Sequence, residues 1–100
     1  PMEWQHRWDL VVEVHILQAI PEEVRVVAAP VLPSLLAPGG RLVSVGRVNN
    51  SGVEITGPPW PLNREFISSI GGGLENTSFD LPIESINGEE IQRYISSWKN

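Results

Sequence analysis

Hydrophobic and polar positions follow two rhythms in the first half of the chain. Residues 9–14 (DLVVEV) and 41–46 (RLVSVG) are short runs rich in β-branched residues. Between them, apolar residues recur at Val24, Val27, Ala28, Val31, Leu32 and Leu35, the spacing of one helical face. The pattern predicts a buried strand, a helical crossover and a second buried strand. Strands that are apolar nearly throughout and joined by a crossover imply a parallel pair covered by helices. Such sheets bind ligands beyond the carboxyl ends of their strands, which directs attention to residues 13–18 and 46–50.

Punctuation sharpens the remaining elements. Pro21 followed by Glu22 and Glu23 is a good helix start, with acid groups near the positive end of the dipole. Pro30 and Pro33 remove helical hydrogen bonds, so a break is expected near Ala29, with Pro33 opening a short second turn. Residues 37–40 (APGG) end that helix and lead into the second strand. Residues 48–60 read as a loop. Asn63 can cap a short helix over residues 64–70, which Gly71, Gly72 and Gly73 terminate. Residues 74–80 and 91–98 read as two further strands flanking an irregular stretch at 82–88. With no helix between them, they are expected to pair antiparallel.

Length and composition narrow the class. One hundred residues, 41% of them hydrophobic, make a single domain over residues 1–100 with one modest core. No run of about 18 apolar residues is present, so no membrane span is expected. The polar start lacks an apolar signal-peptide core, and Met2 is the expected natural start. Absence of cysteine removes disulfides and thiolate chemistry, and fits a cytoplasmic setting. The net charge of −5 leaves no basic stripe for a nucleic-acid backbone. Two histidines without ligand spacing, His6 and His15, make no metal site.

Three segments then carry a family resemblance. Residues 9–21 (DLVVEVHILQAIP) resemble the fourth strand of class I S-adenosylmethionine-dependent methyltransferases and the "LHHLP"-like turn after it. Residues 35–42 (LLAPGGRL) resemble the family's "LLxPGGxL" approach to its fifth strand, and the closing strands resemble its sixth and antiparallel seventh. The segment GPPWPL is also similar to some bacterial members. The implied fold class is α/β, a partial Rossmann-like three-layer sheet. It would hold two parallel strands, a crossover helix, a short helix and a C-terminal antiparallel strand pair. The family's opening strand and its E/D-x-G-x-G-x-G loop have no counterpart here, so the chain reads as the downstream half of the fold.

The resemblance implies where chemistry would sit. Glu13, at the strand end where cofactor and substrate meet in the family, could orient a substrate amine or the cofactor's sulfonium. His15 could act as a general base. Val14, Leu17 and Gln18 correspond to the turn flanking the cofactor. Trp60, held between prolines, could stack on a substrate face, and Asn49 lies past the second strand on the same side. S-adenosylmethionine is expected as cofactor only once a complementary half is supplied, with no metal. The alternative function is a non-catalytic, self-associating α/β domain that binds a small ligand or a protein. Loss of the neighbouring strand would leave residues 10–14 as an apolar edge. A homodimer, or a partner chain supplying the missing half, is therefore expected.

Overall fold

The computed structural model describes residues 2–49 and 60–100. Expectations resting on Asn50, Ser51, Gly52 and the GPP tripeptide at 57–59 lie outside the described residues. Strand β1 (Trp8–Val14) is followed by a 3-10 turn at Leu17–Ala19, helices α1 (Glu22–Ala28) and α2 (Val31–Ser34), and the long strand β2 (Leu36–Arg47). Helix α3 (Arg64–Ser69) leads into β3 (Glu75–Asp80), β4 (Ile83–Ile86) and β5 (Glu89–Lys99).

The crossover breaks where the prolines demand it. Neither Pro30 nor Pro33 has an N–H to donate, and the ladder stops at Ala29, whose N–H bonds the Arg25 carbonyl at 2.9 Å. Leu32 restarts it by donating to the Ala29 carbonyl at 3.1 Å. At α3, the Asn63 side chain accepts the Phe66 N–H at 2.8 Å, the capping bond its position predicts.

β1 and β2 run parallel, with Val12 opposite Val43 and Val14 opposite Val45. The sheet order is β1-β2-β5-β3, and β5 runs antiparallel to both neighbours. The last long strand thus inserts between β2 and β3, which leaves β2 and β3 pointing the same way. The stretch at 82–88 is more regular than expected: β4 folds back on β5 through a turn at Asn87 and Gly88, both with positive φ. Its sequence, IESI, alternates too briefly to announce a strand by itself.

Ala29 between α1 and α2, Leu32 of α2, and Phe66 and Ile67 of α3 pack into one core on one face of the sheet. Leu36, Leu42, Leu62, Ile67, Ile70, Tyr94 and Trp98 are essentially inaccessible, with Leu17 and Ala29 beside them. Gly71 completes the packing, because a Cβ there would lie 2.3 Å from Trp98 Cδ1. On the opposite face, Leu10, Val12, Val14 and Ile95 are exposed. The described residues therefore supply two layers of the partial three-layer arrangement. At the far edge, β3 is exposed along its whole length and hydroxyl-rich. Thr77 and Ser78 both hydrogen-bond Ser97 on β5, at 2.8 and 2.6 Å.

Candidate functional site

The site candidates gather at the carboxyl ends of β1 and β2. Glu13 is the last inward-facing residue of β1 and is 3% exposed. Its Oε1 accepts the backbone N–H groups of Ile16 at 2.7 Å and Leu17 at 2.9 Å, so the carboxylate caps the turn that follows its own strand. Ser44 Oγ donates to Oε2 at 2.5 Å. With that proton committed, the Tyr94 hydroxyl donates to Ser44 Oγ at 2.7 Å. A hydrogen-bonded line thus ties β5, β2 and β1 together. Burial, opposed by the Ser44 hydrogen bond and reinforced by the Glu13 charge, pushes the Tyr94 hydroxyl well above its ordinary titration range.

The turn is held from its other side by Arg25, the one charged residue that α1 buries. Its Nε donates to the Leu17 carbonyl at 2.9 Å and its Nη2 to the Ile20 carbonyl at 3.1 Å, while the guanidinium lies 5.6 Å from the centre of the Phe66 ring. Acceptors of the turn therefore meet a cation, and its donors meet an anion. Gln18 links the turn to β2. Its Oε1 accepts the Arg47 N–H at 2.6 Å, and its backbone carbonyl accepts the Trp60 N–H at 2.6 Å. Gly46 makes room for this arrangement, since a Cβ there would meet Gln18 Oε1 at 2.8 Å and Tyr94 Cε1 at 2.9 Å.

His15 differs from its neighbours. Its backbone is left-handed (φ 59°), and its N–H bonds the Val45 carbonyl at 2.8 Å. Its Nε2 lies 3.3 Å from Nη1 of Arg93, whose Nε pairs with Glu84 at 2.5 Å. A guanidinium only donates, so Nε2 accepts and the ring proton sits on Nδ1. That Nδ1 is buried without a hydrogen-bond partner, the single such side-chain atom among the described residues.

The fold thus brings Glu13, Val14, His15, Leu17 and Gln18 together on one turn, with Trp60 tied to that turn. Leu17 is buried, Val14 is exposed on the bare face, and Trp60 is half-buried. Asn49 stands one step off, where its N–H bonds the Leu62 carbonyl at 2.7 Å. Ser44, Tyr94, Arg25 and Arg93 were not expected at the site. Ser44 is the lone polar residue within LVSV, and Arg25 interrupts the valines of α1, so a polar residue on an apolar run was the available signal.

The glycine cluster offers no cradle: Gly71 is pressed against Trp98, and Gly72 and Gly73 close the turn after α3. The described residues therefore supply no glycine-rich floor for a nucleoside-type ligand. No group of three or more potential metal-ligating side chains occurs among the described residues. No helix among the described residues is long and apolar enough to cross a membrane.

A parallel β1–β2 pair with an antiparallel strand inserted beyond it is a fragment of the class I methyltransferase fold, and solved structures share that fold. A SAM-dependent methyltransferase from Methanosarcina mazei superposes with a TM-score of 0.73 at 12% identity, over 96% of this chain and 60% of that one. The N-methyltransferase NodS from Bradyrhizobium japonicum, solved with S-adenosylhomocysteine, gives 0.67 at 18% identity, over 92% and 45%. A 1,6-didemethyltoxoflavin N1-methyltransferase from Burkholderia thailandensis, also solved with S-adenosylhomocysteine, gives 0.69 at 10% identity, over 96% and 45%. The chain spans about half the length of these neighbours. No protein-family model matches it, and neither does any curated protein.

Proposed function

We propose that this chain is the downstream part of an S-adenosylmethionine-dependent methyltransferase, inactive until a glycine-rich half joins it. The observation that carries the reading is one of coverage. Nearly all of this chain superposes on about half of each methyltransferase neighbour, while its own glycine cluster follows a helix, with Gly71 pressed against Trp98.

When bound, S-adenosylmethionine supplies an electrophilic methyl group. The residues of this chain position and desolvate. Glu13 and Arg25 clamp the turn, and Glu13 acts on the ligand through that turn because both its oxygens already hold hydrogen bonds. Leu17 and Gln18 form the adjoining wall. His15 carries an unspent Nδ1–H on a left-handed backbone, and in this proposal it donates to an acceptor atom of the ligand. Trp60 and Asn49 border the methyl-acceptor side.

The test is calorimetric binding of S-adenosylhomocysteine. It is made with the chain alone, and with the chain co-produced with the polypeptide segment encoded immediately upstream. Binding by the pair and not by the chain alone is expected. Saturable binding by the chain alone overturns the incompleteness. No binding by the pair overturns the methyltransferase reading and favours a non-catalytic α/β domain.

A further inference from the structure

A chain of polar contacts runs from β4 through β5 and ends on His15. β1 and β5 are not neighbours, because β2 lies between them. Their side chains must span two strand spacings, about 10 Å, to touch. His15, the residue after β1, and Arg93 of β5 do so, with Nη1 of the guanidinium 3.3 Å from the imidazole Nε2.

Arg93 needs an anion where it stands. In the β2–β5 register it lies opposite Arg47, and like charges facing each other across a ladder repel. β4 supplies the anion. The chain folds back through Asn87 and Gly88, the residue pair and positive φ values that a two-residue hairpin turn favours. Glu84 then lies opposite Ile91, which makes Arg93 its diagonal neighbour on one face. Its Oε2 accepts from Arg93 Nε at 2.5 Å, and the Arg93 backbone N–H donates to the Pro82 carbonyl at 2.9 Å. The hairpin therefore fixes both the backbone and the guanidinium of Arg93.

The consequence falls on the His15 ring. A neutral imidazole carries one proton, and the hydrogen bond at one nitrogen decides where it sits. With Nε2 accepting from a guanidinium, Nδ1 keeps the proton, against the usual Nε2–H preference of a free imidazole. That Nδ1–H is buried and unmet, which is unfavourable until an acceptor reaches it.

We propose that Glu84 and Arg93 are positioning residues, which hold His15 as its Nδ1–H tautomer so that it donates to an acceptor atom of a ligand. The β4–β5 hairpin is the arm that sets them. The tautomer stands on this geometry alone, and its use on a ligand rests on the methyltransferase reading.

Nitrogen-15 NMR of the ring nitrogens tests the tautomer in the chain alone, above the ordinary histidine titration range. His6, exposed in the polar amino-terminal stretch, is the internal reference. His15 should show a protonated Nδ1 and a bare Nε2, and His6 mainly the reverse. Arg93→Met removes the donor and should shift His15 to the His6 pattern. Arg93→Lys keeps a donor and should hold the parent form, a contrast that a merely structural role would not produce. Nε2–H in the parent, or one tautomer shared by the lysine and methionine variants, overturns the proposal. The parent spectrum decides by itself if a variant fails to fold. With the upstream segment co-produced, Arg93→Met should weaken S-adenosylhomocysteine binding about 5-fold, the loss of one hydrogen bond, and Arg93→Lys should not. Equal affinity in parent, lysine and methionine forms overturns the role toward the ligand. No binding by the parent pair, with the tautomers as expected, upholds the positioning and removes the methyltransferase reading.

Discussion

Replacing Glu13 with alanine strands three hydrogen-bond donors at once. The Ile16 N–H sits beside an exposed side chain and can turn to water, whereas the Leu17 N–H and the Ser44 hydroxyl are buried. An unsatisfied buried donor costs about 1–3 kcal/mol, so the two together should remove about 3 kcal/mol of stability. In urea, with a slope of about 1–3 kcal/mol per molar for a small domain, the midpoint should fall by about 1–3 M at unchanged slope. Glu13→Gln is the informative companion. Its amide oxygen can still accept both backbone N–H groups, while its NH₂ faces Ser44 and reverses that one bond. The loss should be roughly a third as large. The assay is equilibrium urea unfolding followed by far-ultraviolet circular dichroism. The reasoning is refuted if Glu13→Ala lies within about 0.5 kcal/mol of the parent, the range of an ordinary surface substitution. It is equally refuted if the glutamine variant is as damaged as the alanine one.

Four further outcomes follow from the same packing. Tyr94 is the only tyrosine, so its ionisation is read directly by tyrosinate absorbance. Its folded-state value is raised above the ordinary 10.0, so the stability it confers is full below that pH and is lost as pH rises through it. Tyrosinate should therefore appear only as the chain unfolds in alkali, and Tyr94→Phe should flatten that part of the stability profile. Gly71→Ala forces a methyl group into the Trp98 indole and should cost about 1–3 kcal/mol by thermal unfolding, with altered tryptophan emission. Arg25→Lys cannot hold two carbonyls with a planar fork and lie against Phe66. A loss of about 1–2 kcal/mol is expected in urea, and no loss would show that the clamp is incidental. His15→Gly relieves a left-handed backbone and deletes a stranded donor, so the chain alone should become no less stable while the assembled pair loses S-adenosylhomocysteine affinity.

Much of the sheet could be read from residue order. Runs of β-branched residues marked β1 and β2, prolines marked the break between α1 and α2, and Asn63 marked the start of α3, because each is a local effect written in a few adjacent residues. The insertion of β5 between β2 and β3 is a long-range choice and leaves no local trace. Hairpin strand β4 was missed because four residues are too few for alternation to show. At the site, chain position was enough to place residues 13–18 at a strand end. It did not decide which face Glu13 takes, since Val12, Glu13 and Val14 alternate without preference. Burial of Ser44 and Tyr94 on the same side settles it, and both lie far away in sequence.

The two rims of the sheet are unlike. Along β3, threonine, serine, asparagine and acidic side chains present a wet border that already satisfies much of its polarity by bonding to β5. Chains sticky at both rims can stack without limit into fibres. This one is apolar along β1 and hydroxyl-rich along β3, so a contact made through β1 has no matching surface at β3.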